Sequence, residues 1–187
     1  MHRRRLLASL AVLPATAMIG ATVSEAASPD LENEIYMDLK DGRVVIQLFP
    51  DLAPKAVARV KELARKGFYD GTPFHRVIEG FMAQGGDPTG TGTGGSGLGP
   101  LPAEFTNKRR FLRGTVGAAR TSDPNSADSQ FFIMFAPAPS LDGQYTIWGQ
   151  VISGMEYVDH IKRGGGPNGI VENPDRIIHF RVAADVK

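Results

Sequence analysis

Apolar residues along this chain fall into short runs cut by Gly, Pro and Asp, at 35–39, 44–49, 72–77, 81–84, 115–118, 130–135, 146–151 and 176–182. Runs of this length and composition predict strands, and their number and spacing predict an all-β chain, an antiparallel barrel or sandwich. The first two are joined through Lys40-Asp41-Gly42, where the Asp-Gly dipeptide predicts a hairpin turn. Helical periodicity occurs in two places. At 54–66, Ala56, Val57, Val60, Leu63 and Ala64 recur three and four apart, Pro54 suits the first turn and Gly67 ends the run. A second helix is predicted over 155–163, stopped by Gly164-Gly165-Gly166-Pro167.

Residues 87–102 read as loop, with Gly and Thr nearly alternating. Gly90, Gly92 and Gly95 formally match a dinucleotide-binding fingerprint. No strand–helix–strand unit surrounds them, and Gly and Pro follow where a helix would have to open, so the phosphate-cradle reading fails.

The N-terminus departs from this β pattern. Arg3, Arg4 and Arg5 precede an apolar stretch from Leu6 to about Val23, broken by Pro14, and then Ser24-Glu25-Ala26. This predicts a signal peptide, residues 1–26, cleaved after Ala26. A membrane anchor is the alternative by length, but Pro14, Gly20 and the interspersed Ala, Thr and Ser make a weak span. The arginines also loosely resemble a twin-arginine signal, so the export route stays open. The expected localisation is exported, periplasmic or secreted, with a short flexible segment at 27–33 and one domain at 34–187.

Cleavage would remove three arginines and one glutamate and move the formal charge from +1 to −1. Nothing in that balance favours nucleic acid, and it suggests a monomer. The chain has no cysteine, which excludes disulfides, thiolate metal sites and Cys nucleophiles. His75, His160 and His179 lack ligand spacing, so no metal site is expected. Serines 122, 126, 129 and 140 have no nucleophile elbow or ordered His and Asp partners.

The candidate chemistry lies in FHRVIEGFMAQGG at 74–86, which sets one guanidinium, Arg76, one amide, Gln84, and the apolar Phe81 and Met82 close together. Taken alone, Phe74, Val77, Phe81 and Met82 could be core, with Arg76 and Gln84 as solvated edges. His75 would sit on the strand face opposite Arg76 with a hydrogen-bond partner.

This segment, followed by SQFFI at 129–133 and SLDGQYTIWGQV at 140–151, resembles the cyclophilin-type peptidyl-prolyl cis-trans isomerases, over about Glu34 to Val182. The GFYDGTPFHRVI run and the GGDPTGTGTGG loop resemble the bacterial exported branch. The resemblance implies a closed eight-stranded antiparallel barrel with two capping helices, and rotation of Xaa-Pro bonds in proline-containing, unfolded or partly folded exported polypeptides. A non-catalytic prolyl-peptide binding module or holdase is the alternative.

It also implies site roles. Arg76, Gln84 and Phe132 take the catalytic positions; Phe81, Met82, Ala119, Arg120, Gln130, Leu141 and Tyr145 contact substrate, and no cofactor is needed. Residues 87–102 become a mobile wall of the groove. Ala119 and Arg120 correspond to residues whose main chain pairs with the peptide, and the Arg120 side chain either favours acidic substrates or is merely solvated. Tyr145 replaces the histidine of many eukaryotic relatives, so the rate should change little from pH 5 to 8. Ser140 replaces a tryptophan, which implies weak cyclosporin binding. Glu79 stands where proline is frequent and reads as a turn cap, whereas Trp148 reads as core.

Overall fold

The computed structural model describes residues 30–187. Eight strands and two helices follow the order β1 (Glu34–Leu39), β2 (Gly42–Leu48), α1 (Pro54–Arg65), β3 (Arg76–Ile78), β4 (Met82–Gly85), β5 (Thr115–Ala118), β6 (Phe131–Met134), β7 (Ile147–Ser153), α2 (Met155–Asp159) and β8 (His179–Val182). The strands form one antiparallel sheet in the order β3-β4-β6-β5-β7-β2-β1-β8, which curls so that its two edges approach. The sheet is a half-barrel, and the closed barrel is modified at one seam. No ladder joins β3 to β8; the Phe74 amide instead donates to the Asp175 carbonyl at 2.9 Å and the Ile177 amide to the Thr72 carbonyl at 3.0 Å. Pro73, which has no N–H to give a ladder, bridges Arg176 here. This is why β3 and β8 are shorter than their apolar runs.

Leu39 pairs with Gly42, leaving Lys40 and Asp41 as the hairpin turn. A Cβ on Gly42 would stand 2.5 Å from the Tyr157 ring, so glycine serves close approach as well as the turn. α1 buries Ala56, Val57, Val60, Leu63 and Ala64, the face its periodicity predicts, and packs on β8. Its first turn has no local side-chain cap. Glu104 supplies one from a distant loop, its carboxylate accepting the Lys55 and Ala56 amides at 3.0 and 2.9 Å. α2 stops at Asp159, short of the predicted residue 163, because the chain turns there to bury Ile161.

The barrel interior is one apolar core in which Tyr69, Phe74, Phe131, Trp148 and Phe180 meet, all at most 1% exposed. Trp148 is core, as its strand position predicts. The Tyr69 hydroxyl donates to the Ser129 carbonyl at 3.1 Å, and burial pushes its pKa far up, so it stays neutral.

The leader at 1–26 and positions 27–29 lie outside the described residues. Of the expected flexible segment at 27–33, only residues 30–33 are described. Leu31–Asn33 form a 3-10 turn fastened to α1, with Arg65 donating to Glu32 at 2.9 Å and Lys61 to the Asn33 side-chain oxygen at 2.7 Å.

His75 also differs from expectation. It lies opposite Arg76, 4% exposed, but neither ring nitrogen finds a hydrogen-bond partner among the described residues. Burial disfavours the imidazolium and holds its pKa below the ordinary histidine value, against the pull of nearby Asp87 and with the push of Arg76. The unfolded chain therefore binds a proton that the native state refuses. Stability should fall as pH drops below about 6.5, by up to about 1.4 kcal/mol per pH unit. Urea melts between pH 7.5 and 5 should show a steeper loss for wild type than for His75→Leu, whatever the variant's absolute stability; equal slopes would refute the assignment.

Candidate active site

Strand register assembles the site. Arg76 on β3 pairs with Gln84 on β4, Gln84 with Phe132 on β6, and Phe132 with Gly117 on β5. Successive residues on a strand face opposite ways, so this row points outward while Val77, Ala83, Ile133 and Val116 enter the barrel core. The outward side chains gather into a second apolar cluster containing Met82, Phe111, Phe132, Met134, Ala138 and Ile147.

A pocket of about 170 Å³ opens over that cluster. Phe81, Met82, Phe132 and Leu141 supply its apolar surface, Tyr145 and Ala119 flank it, and Arg76, Gln84 and Arg120 bring its polar groups. Phe132 is fixed from two sides. It stacks on Phe111 with centroids 5.6 Å apart and meets the edge of Tyr145 at 5.7 Å and 88°. A Cβ on Gly117 would come within 2.7 Å of the Phe132 ring and 2.8 Å of Phe111, so glycine leaves room for the stack. The Phe111 amide is held by the Asp142 carboxylate at 2.8 Å. Sequence reasoning missed Phe111, whose only signal is an apolar residue inside a basic loop.

Arg76 is held by two acceptors. Its Nε donates to the Asn168 carbonyl at 3.0 Å and its Nη1 to Gln84 Oε1 at 3.1 Å. The Gln84 amide then donates to Gln130 Oε1 at 2.9 Å, and Gln130 Nε2 donates to the Gly92 and Gly94 carbonyls at 3.0 and 2.9 Å. Every donor in this chain runs one way, from the guanidinium to the glycine loop. Asn168 reaches Arg76 because the 164–170 loop pairs with β3: the Val77 amide donates to the Gly169 carbonyl at 2.7 Å and the Gly164 amide to the Val77 carbonyl at 2.9 Å. Gly169 has φ 67°, and a Cβ there would lie 2.4 Å from the Ile78 side chain, so only glycine fits without displacing the loop.

The 87–102 loop, expected to be a mobile wall, is fastened by two carboxylates. Asp87 is fully buried and accepts the Thr89, Gly92 and Gly94 amides at 2.7, 2.7 and 3.1 Å, as well as the Thr89 hydroxyl. Burial would raise its pKa, but the Thr89 hydroxyl and these amides together hold it below the ordinary aspartate value. Asp128 binds Arg59 and both the amide and hydroxyl of Ser96. Cβ atoms on Gly94 and Gly95 would collide with Asp87 and Asp128, so these glycines admit carboxylates.

Beside the first pocket lies a second, of about 360 Å³, between the 92–95 stretch of this loop and residues 119–121, with Ser126, Asp128 and Gln130. Gln84, Ala119 and Arg120 line both pockets. The Ala119 amide is already bonded to the Gln130 carbonyl at 2.9 Å. Among the described residues the Ala119 carbonyl and the Arg120 amide have no partner, which leaves one acceptor and one donor for an extended chain. Every residue predicted for the site is therefore in the two adjoining pockets. Ser140 lines neither and is exposed on the 3-10 turn Pro139–Leu141. Glu79 caps no turn; its carboxylate pairs with Arg163 Nε at 2.6 Å.

The family model for cyclophilin type peptidyl-prolyl cis-trans isomerases matches residues 34–182. The probable peptidyl-prolyl cis-trans isomerase of Brucella suis is 54% identical over 181 residues, 90% of this chain and 91% of that protein. Peptidyl-prolyl cis-trans isomerase B of Bacillus subtilis is 42% identical over 130 residues, 69% of this chain and 90% of that one. Among solved structures, a cyclophilin type isomerase of Cryptosporidium parvum in the presence of the dipeptide ala-pro superposes with TM-score 0.74 at 31% identity, covering 80% of this chain and 98% of that one. A cyclophilin of Hirschia baltica gives TM-score 0.75 at 28% identity, over 84% of this chain and 76% of that one. With the fold, the outward row and identities of this size in agreement, the chain belongs to the cyclophilin family and is a peptidyl-prolyl cis-trans isomerase.

Proposed function

We propose that Arg76 accelerates prolyl rotation by donating a hydrogen bond to the prolyl nitrogen as the amide twists, with no covalent intermediate. The barrier to be lowered is about 18–20 kcal/mol and comes from amide resonance. Twisting returns the lone pair to nitrogen, so a donor placed there acts more strongly on the transition state than on either planar form. The observation that carries this reading is how Arg76 is held. Two of its nitrogens are anchored by Asn168 and Gln84, and Nη2 has no protein acceptor among the described residues beside an apolar pocket. Phe81, Met82, Phe132 and Leu141 seat the proline ring, Gln84 and Gln130 hold the guanidinium in line, and the Ala119 carbonyl and Arg120 amide receive the peptide backbone. A charge-assisted hydrogen bond contributes about 1.5–3 kcal/mol, which is one to two decades of rate. Water exclusion around the apolar pocket supplies the rest.

The same reading covers clients and place of action. Proline-containing polypeptides are the substrates, and residues 1–26 mark the protein for export, so the clients are exported chains whose slow prolyl steps limit folding. The working form is a monomer. Without an indole at Ser140, cyclosporin binds weakly.

Exchange NMR on an Ala-Pro-Phe peptide should show fast cis-trans exchange with wild type. In Arg76→Ala, exchange should fall by about 10- to 100-fold with little change in peptide affinity, and Arg76→Lys should not restore it because lysine lacks the planar fork. Binding without exchange in wild type would make the protein a peptide-binding module instead.

Gly169→Ala should lower the exchange rate by about tenfold by moving the Asn168 carbonyl off Arg76 Nε, yet cause no further loss in the Arg76→Ala background. Equal losses in both backgrounds would mean that Gly169 supports the fold alone.

For export, N-terminal sequencing of protein from the cell envelope should begin at Ala27. An intact N-terminus in the soluble cell interior would overturn that part.

A further inference from the structure

Arg120 stands half-buried at the border of the two pockets and has no ion-pair partner among the described residues. Its Nε and Nη2 donate to the Gln144 carbonyl at 3.2 and 2.8 Å and its Nη1 to the Thr121 carbonyl at 2.8 Å, all neutral main-chain acceptors. The guanidinium lies 4.3 Å from the centroid of the Tyr145 ring, over its face. One Nη2 hydrogen remains without an acceptor among the described residues. Arg76, across the first pocket, likewise has no carboxylate of the described residues within ion-pair reach.

Among the described residues, the acidic groups around the groove make contacts other than with Arg76 or Arg120. Asp128 is bound by Arg59 and Ser96, Asp87 is buried under the amides of its own loop, and Glu79 is paired with Arg163. Asp123, exposed in the turn beyond Arg120, accepts the Asn125 amide at 2.8 Å and is not one of the guanidinium contacts of Arg120. Two half-buried guanidinium groups thus face a peptide groove with no ion-pair partner among the described residues, and one of them is held by three main-chain hydrogen bonds where the groove passes from the first pocket to the second. A charge fixed in this way has lost its rotamer entropy in advance and is less screened than one in open water.

We infer that Arg120 is a specificity residue that selects peptides carrying an acidic side chain within two residues of the proline, on the side of the chain that enters the second pocket. This rests on the isomerase reading of the same groove. The ligand supplies the carboxylate that the protein omits: its oxygens accept the remaining Nη2 hydrogen while the ring of Tyr145 keeps the guanidinium in place. Basic side chains at that position are disfavoured by the same field.

The test uses terminally blocked peptides of two series, Xaa-Ala-Pro-Ala and Ala-Pro-Ala-Xaa, with Xaa as Glu, Gln or Lys, measured for affinity and for exchange. In one series Glu should bind about tenfold tighter than Lys at low ionic strength, with Gln between, and the difference should shrink in about 0.5 M salt. Arg120→Lys should keep the ranking, Arg120→Gln should abolish it and Arg120→Glu should reverse it. No ranking in either series, or the same ranking in Arg120→Glu, would overturn the proposal. The two readings fail separately. Exchange of the Gln peptide without a charge ranking would overturn the preference alone, whereas a charge ranking in affinity without exchange of any peptide would uphold the preference and overturn the isomerase mechanism.

Discussion

The register of β3, β4, β6 and β5 is the constraint on which the rest of this molecule depends. Because strand side chains alternate, the same four strands fill the barrel with Val77, Ala83, Ile133 and Val116 and build the outward row of Arg76, Gln84 and Phe132. A slip by one residue would exchange the two sets, sending a guanidinium and an amide into the core. Burying an unpaired cation costs far more than any rearrangement of the pocket could return. The core therefore enforces the geometry of the site, and no separate device is needed to place Arg76 opposite Gln84.

Register sets positions, while main-chain groups set orientations. Arg76 is aimed by the Asn168 carbonyl, the Gln130 amide ends on the Gly92 and Gly94 carbonyls, and Arg120 is pinned by Gln144. Carbonyls of this kind move only if their loops move, and both glycine loops are tied down, one by β3 and the other by Asp87 and Asp128. Donors that are already oriented need not reorganise as a substrate amide twists, which is what the proposed electrostatic role of Arg76 requires. The aromatic side follows the same logic. Phe132 gains its fixed tilt from Phe111 beneath and Tyr145 at its edge, so the pocket keeps its shape when empty.

Much of this was legible in the sequence, because short-range signals report short-range physics. Eight apolar runs mark eight strands, the period of Ala56, Val57, Val60, Leu63 and Ala64 marks the buried face of α1, and the matched motif residues all reach the two pockets. What was not legible depends on partners distant in the chain. Glu104 caps α1 from 49 residues away, so no local capping residue announces the helix start. Phe111 lies in a basic loop that gives no hint of the ring it supports. Asn168 acts through its carbonyl, for which its side chain is irrelevant. The glycines of the 87–102 loop look like flexibility until Asp87 and Asp128 are seen to occupy the space their missing side chains leave. His75 satisfied the alternation rule but not the expectation of a hydrogen bond, since alternation fixes the face of a residue and says nothing of the groups waiting there.

On the proposed reading, Arg120 would tune selectivity without touching the reaction. Its side chain is attached to a position where the proposed peptide contact needs only a main-chain N–H and carbonyl, which every residue but proline supplies. Its effect comes from Tyr145, whose ring face accepts the cation, and from Gln144, whose carbonyl fixes it. A histidine at the Tyr145 position would become cationic in acid and repel the guanidinium, whereas the tyrosine ring offers the cation its face. On the proposed reading the shape of the pocket and the charge at its border are separable: Phe132 and its neighbours would seat the proline ring, while Arg120 and Tyr145 would set the field that the flanking residues meet.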